Sequence, residues 1–222
     1  EEWVVRWFRR QWNRPEKPIV FDIGANVGAY TRTFLSAFGE ACSIYAFEPS
    51  VTAFKVLRAS VNSPSVRCFN LGFSDESRQA SLYCDSRDST VASLYLRDGE
   101  EYGLHFVKSL IVQLHTLDEF CEVNNIERIN FLKMDVEGHE LSVLQGAQNL
   151  LASRAIDVIQ FEFGPCNMDS RTYFRDFYKL LRGQYDIYRI CQDGLYPIQN
   201  YTHLLEIFRT SNFIAELRTN EE

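Results

Sequence analysis

Long hydrophobic runs are missing from this chain of 222 residues; nothing approaches the ~18 apolar residues that cross a bilayer. The opening residues lack the charged-then-apolar pattern of a secretory signal. Positive charge is short as well. Lys and Arg number 23 against 30 Asp and Glu, which leaves a net charge of −7 and no dense basic run. Phosphate contacts supply most of the affinity for nucleic acid, so no nucleic-acid partner is expected. The six cysteines (Cys42, Cys68, Cys84, Cys121, Cys166, Cys191) are scattered, without a C-x-x-C pair or a nearby His at zinc spacing. They read as small hydrophobes of a chain in a reducing cytoplasm. Also absent are internal repeats, low-complexity tracts and the Gly-Lys-Ser/Thr ending of a phosphate loop. What remains fits one α/β domain large enough to bury about 70% of its unfolded-chain surface.

The informative stretch is Val20-Phe21-Asp22-Ile23-Gly24-Ala25-Asn26-Val27-Gly28-Ala29-Tyr30-Thr31. An apolar run ends in an acid, turns on glycines four apart and enters a helical period, where glycine permits the sharp turn and a close ligand approach. Glu48 closes a second apolar run, Ser43 to Phe47. This is the layout of a βαβ unit with a carboxylate set for ribose hydroxyls. A dinucleotide site wants G-x-G-x-x-G, and Asn26 stands where its second glycine would be. A turn that seats no pyrophosphate suits S-adenosyl-L-methionine, with Asp22 ordering the loop or meeting the cationic amino-acid end. A structural turn in some other α/β domain would carry similar glycines.

A second segment, Asn130-Phe131-Leu132-Lys133-Met134-Asp135-Val136-Glu137-Gly138-His139-Glu140, runs from an apolar strand through an acid and a glycine into a helix. Together with the glycine turn, Phe47-Glu48-Pro49-Ser50, Thr116-Leu117-Asp118-Glu119-Phe120 and Gln160-Phe161-Glu162-Phe163-Gly164, it resembles the FkbM family of S-adenosylmethionine-dependent methyltransferases. The resemblance covers roughly residues 18 to 215. It implies an O-methyltransferase acting on a hydroxyl of a sugar, glycolipid or polyketide-like acceptor. Two other readings stand beside it: a non-catalytic cofactor-binding partner domain of a longer polypeptide, and a nicotinamide-dependent oxidoreductase.

Strand-helix alternation predicts a Rossmann-like, doubly wound, seven-stranded sheet, mostly parallel with an antiparallel last strand and an inserted β-hairpin region. The expected strands are 19–23, 43–48, 65–70, 129–135, 156–162, 185–191 and 204–209. Helices are expected over 27–38, 51–61, 139–151 and 171–182. The inserted strands fall at 80–84, 90–95 and 110–114, and Thr116 with Glu119 predicts a helix cap. Residues 1–17 form a helical leader whose Trp3 and Trp7 pack onto the domain or lie on a membrane surface. The methyltransferase domain spans 18–215, with a frayed tail over 216–222.

Ligands of such sheets lie beyond the carboxyl ends of the strands. The methionine-side loop is assigned to Gly24, Ala25, Asn26 and Gly28, where a side chain at 28 would occupy the methionine path. Glu48 takes the ribose diol, and Asn70, Gly72, Ser74 and Asp75 lie near adenine, with Ser89-Thr90 approaching from the insertion. Asp135 is both a cofactor contact and a catalytic candidate. Two schemes deprotonate a hydroxyl. In one, His139 is the general base, kept neutral by the helix dipole. In the other, by analogy, Asp135 and Glu162 hold a Mg²⁺-like ion. Glu137 and Glu140 read as first-turn helix acids, and His105, His115 and His203 as structural.

Overall fold

Strands covered by helices on both sides must be apolar on both faces, and β1 (Ile19–Ile23) is buried at its last four positions, including Asp22. The computed structural model describes residues 2–84, 92–96 and 108–219. After β1 come β2 (Ser43–Phe47), β3 (Val66–Phe69), β4 (Gly72–Phe73), β5 (Arg78–Cys84) and β6 (Ala92–Ser93). Then follow β7 (Lys108–His115), β8 (Ile129–Met134), β9 (Ile156–Phe163), β10 (Tyr185–Cys191), β11 (Gly194–Pro197) and β12 (Ser211–Leu217). The helices are α1 (Glu2–Gln11), α2 (Ala29–Phe38), α3 (Val51–Ser60) and α4 (Leu117–Val123), then α5 (Glu140–Gln145), α6 (Gln148–Ala152), α7 (Cys166–Asp169) and α8 (Phe174–Leu181).

The main sheet runs β11-β10-β12-β9-β8-β1-β2-β3. β3, β2, β1, β8 and β9 are parallel, and β12 inserts antiparallel between β9 and β10. The doubly wound expectation holds, with the antiparallel strand last in sequence. The count differs: β11 adds an eighth strand by pairing with β10 as a hairpin. The last strand also lies later than 204–209, at Ser211–Leu217. Residues near 206 serve a different purpose. The Glu206 carboxylate accepts the Phe174 and Arg175 N–H groups at 2.8 and 3.0 Å and the Tyr201 hydroxyl at 2.8 Å. It caps α8 from outside the helix, just after a short 3-10 turn over His203–Leu205 and not in a strand. β12 carries the chain past residue 215, and the Arg218 guanidinium then bonds Asp186 and the Arg182 and Tyr185 carbonyls.

The expected helix over 139–151 is two helices. α6 starts afresh because the Asp118 carboxylate accepts the Asn149 and Leu150 N–H groups at 2.8 and 3.1 Å, an N-terminal cap supplied by α4. Thr116 caps α4 through the Glu119 N–H, as the sequence suggests. The insertion forms a second sheet, β4-β7-β5-β6, in which β5 and β7 pair antiparallel along their lengths. Ser89-Thr90 and His105 lie outside the described residues.

Period-two alternation divides the core. Phe21, Ile23, Leu132, Met134, Phe161 and Phe163 face one layer, with Leu144 and Phe177 packed among them. Val20, Phe131, Val158 and Ile214 face the other, under α1 and α2. α1 buries Val4, Val5 and Phe8 in that second layer, and Trp3 and Trp7 pack half-buried against it. Cys42 and Cys121 are buried in these cores, where burial pushes their thiols up to about 11 and about 12. Among the described residues no helix is long and apolar enough to cross a membrane.

Gly28 precedes α2 with φ +84°, and a Cβ there would meet Leu57 Cδ1 at 2.8 Å and Ser60 Oγ at 3.1 Å. The space beside it belongs to α3, and Gly28 lines neither cleft of the site described below. This corrects the expectation that a side chain at 28 would block the methionine path: it would separate two helices. Gly28→Val should therefore cost at least ~2 kcal/mol through backbone strain and overpacking. A thermal melt should show a midpoint lower by about 4–8 °C for a chain of this size.

Candidate active site

The carboxyl ends of β1, β2 and β8 meet at one loop. Gly24 has φ +75°, and a Cβ there would sit 1.9 Å from the Asp135 carbonyl oxygen, so only glycine lets β1 turn against the end of β8. The loop is then tied to β2. Glu48 accepts the Asn26 N–H at Oε2 (2.9 Å) and the Ser50 N–H at Oε1 (2.8 Å). From the next strand Asn70 Nδ2 donates to the Glu48 and Pro49 carbonyls at 2.9 and 3.0 Å. Glu48 is 7% exposed, and burial, only partly offset by these two N–H groups, pushes its carboxyl up to about 7.

Gly24, Asn26, Glu48, Asp135, Glu137 and His139 line a cleft at this edge. Its opposite wall is apolar, built by Phe73, Leu82 and Leu114 with Ala92 and Leu94 from the second sheet. An adjoining cleft shares Gly24, Asn26 and Asp135 and adds Ala25, Tyr30 and Lys133. One groove thus offers a carboxylate and an apolar wall on one side of the glycine loop, and a cation with a carboxylate on the other.

The expected residues do not all reach it. Gly24, Asn26, Glu48, Gly72, Asp135 and His139 line the cleft, and Ala25 lines its neighbour. Asp22 is fully buried beneath the loop; its Oδ2 accepts the Thr31 hydroxyl at 2.6 Å and its Oδ1 faces Lys133 Nζ at 3.7 Å. Asn70 braces the Glu48–Pro49 turn from outside. Ser74 and Asp75, expected near adenine, lie instead behind His139. The Ser74 hydroxyl donates to Asp75 Oδ1 at 2.7 Å, and Oγ lies 2.9 Å from His139 Nε2. Glu162, next to last in β9, lies outside either lining, opposite Asn212.

His139 is buried, and both ring nitrogens are engaged. Since Ser74 spends its single hydrogen on Asp75, Nε2–H donates to Ser74, and Nδ1 accepts from the Tyr95 hydroxyl at 2.8 Å. Burial first, then the Arg78 charge, lowers its pKa to about 4, with Asp75 opposing. The ring is neutral at pH 7 as expected, with desolvation as the leading cause. It latches the second sheet to the loop between β8 and α5.

The two acids of that loop are not alike. Glu140 opens α5, but its Oε1 turns back to accept the Val136 N–H at 2.9 Å and the Gly138 N–H at 3.4 Å. Burial pushes its carboxyl up to about 8. Glu137 precedes the helix, with φ +53°, and opens onto the cleft.

Lys133 escaped the sequence reading. It is 5% exposed and lies 3.7 Å from Asp22 Oδ1 and 3.2 Å from Asp135 Oδ2. The signal was a lysine inside the apolar strand Ile129–Met134, which a strand buried on both faces tolerates only with a partner. With Asp135 paired to an ammonium, the Asp135–Glu162 pair does not fit a divalent cation. Among the described residues no group of three or more His, Cys, Asp or Glu is placed to hold a metal.

Comparison with known proteins agrees with this architecture. A model described as the methyltransferase FkbM domain matches residues 22–188. The hexuronic acid methyltransferase AglP of Haloferax volcanii is 28% identical over 154 residues, covering 67% of this chain and 58% of that protein. The 2-O-methyltransferase NoeI of Sinorhizobium fredii is 26% identical, covering 60% and 59%. The chain thus spans less than two thirds of the length of these curated relatives. Among solved structures, the METTL16 methyltransferase domain aligns over 98% of this chain and 66% of its own, with 8% identity and a TM-score of 0.52. A putative rRNA-methylase from Clostridium thermocellum aligns over 99% and 96%, with 10% identity and a TM-score of 0.50. At such identities these two share the fold alone.

The raised Glu140 carboxyl has a stability consequence. Its folded value of about 8 lies above the ordinary 4.5, so its contribution is complete only below about pH 4.5 and is lost as pH rises through 8. Glu140→Gln keeps an oxygen for both N–H groups and cannot ionise. From pH 5 to 8 its unfolding free energy should fall less steeply than that of the wild type, by up to ~1.4 kcal/mol per pH unit, in urea titrations.

Proposed function

This chain belongs to the FkbM methyltransferase family, and from that membership we propose that it transfers the methyl group of S-adenosyl-L-methionine to a hydroxyl of a sugar-like acceptor. The observation that carries the reading is the buried Glu48 at the end of β2, facing a cleft whose far wall is apolar. Each carboxylate oxygen accepts one backbone N–H and keeps acceptor capacity for a ribose hydroxyl. Phe73, Leu82 and Leu114 supply an apolar wall for adenine. Beyond the glycine loop, Lys133 and Asp135 offer opposite charges to the carboxylate and ammonium of the methionine end.

The donor arrives activated as a sulfonium, so the chain has mainly to hold acceptor and methyl carbon in line, a contribution on the order of 7–11 kcal/mol in effective-molarity terms. The acceptor class draws support from the relatives, one a hexuronic acid methyltransferase and one a 2-O-methyltransferase.

Calorimetry with S-adenosylmethionine and S-adenosylhomocysteine tests the cofactor half; no heat with either at high protein concentration ends the reading. A ribose diol donates best to an ionised Glu48, whose pKa in the empty site is about 7. Affinity should therefore rise from pH 6 to pH 8, by at most about tenfold per unit. Glu48→Gln should remove that dependence and weaken binding at pH 8 on the order of ten- to a hundredfold, the loss of one or two charge-assisted bonds.

A further inference from the structure

Glu137 stands with φ +53° beside Gly138 at φ +97°. Glutamate gains nothing in the left-handed region, where glycine or asparagine would be at ease, and such a conformation persists only where the surroundings impose it. Here they do so from three sides. Glu140 accepts the N–H groups of both flanking residues, Val136 and Gly138. The Ser93 hydroxyl donates to the Glu137 carbonyl at 2.9 Å, and the Cys166 thiol donates to Glu137 Oε2 at 2.8 Å. The residue so fixed lines the cleft with Gly24, Glu48 and Asp135.

We propose that Glu137 is the catalytic base that meets the acceptor hydroxyl, and that the loop's left-handed turn exists to aim it. This rests on the methyl-transfer reading above. The two bases suggested by the sequence are tied elsewhere: His139 by Ser74 and Tyr95 at its two nitrogens, and Asp135 by the Lys133 ammonium. In the step, an acceptor oxygen lone pair forms a bond to the methyl carbon and the carbon–sulfur bond breaks. Its electron pair stays on sulfur, leaving neutral S-adenosylhomocysteine, and the hydroxyl proton passes to the Glu137 carboxylate. The sulfonium and carboxylate charges cancel, and the proton is later lost to solvent.

Two variants test this, Glu137→Gln and Glu137→Gly, each followed by thermal melt, S-adenosylhomocysteine calorimetry and S-adenosylhomocysteine release with a panel of methyl hexopyranosides. Both should bind S-adenosylhomocysteine within about threefold of the wild type, because Glu137 serves the acceptor. Glu137→Gly should raise the melting midpoint by about 2–4 °C, since glycine relieves the strain. Both should lower turnover by about 10²–10⁴. A lowered midpoint for Glu137→Gly overturns the proposal whether or not any panel sugar is methylated, as does turnover of Glu137→Gln within threefold of wild type. A wild type that binds no S-adenosylhomocysteine defeats the methyl-transfer reading instead, a separate outcome of the same calorimetry.

Discussion

A lysine ammonium held between two carboxylates lies under the glycine loop and constrains everything above it. Asp22, Lys133 and Gln160 occupy matching positions on β1, β8 and β9, all on the face covered by α2. Lys133 reaches Asp22 below the loop and Asp135 at the rim of the cleft. Removing one member of such a buried pair leaves the other charge uncompensated, a loss of about 3–5 kcal/mol. The three side chains are therefore fixed together. They hold the end of β8 against the turn after β1, where the chains pass so closely that no side chain fits at Gly24.

Two buried glutamates then solve the same problem in different ways. Each accepts a pair of backbone N–H groups that a tight turn leaves unpaired, and each has its carboxyl pushed up by burial. Glu48 does so at the edge of the cleft, where it holds the loop and still lines open space. Glu140 is sealed, with 1% of its surface exposed, and serves the backbone of its own loop. Burial separates a cleft-lining residue from one for architecture, though both are acids that follow a parallel strand.

The second sheet completes the site. Its apolar side chains Leu82 and Leu114 wall the cleft, and two of its polar ones fasten it. Ser93 and Tyr95 grip the loop between β8 and α5 at the Glu137 carbonyl and at His139, with Ser74 holding the other side of that ring. The insertion is thus bonded to the loop that carries the acids.

The parallel strands and the residue types at their carboxyl ends were legible from the sequence, because alternation of apolar runs with helical periods and the glycine turn are local properties of the chain. Glu48 and Asp135 could be named on those grounds. The sequence could not say which of several acids near a strand end faces a ligand. That depends on the face each side chain occupies and on what comes to meet it. Asp22 is claimed by Thr31 and Lys133, Ser74 by His139, and Gly28 by α3, all contacts between separate elements. The same reason explains the broken helix at Gly146 and the displaced last strand. Asp118 and Glu206 cap helices that begin about thirty residues away from them, and no local pattern announces a cap supplied from afar.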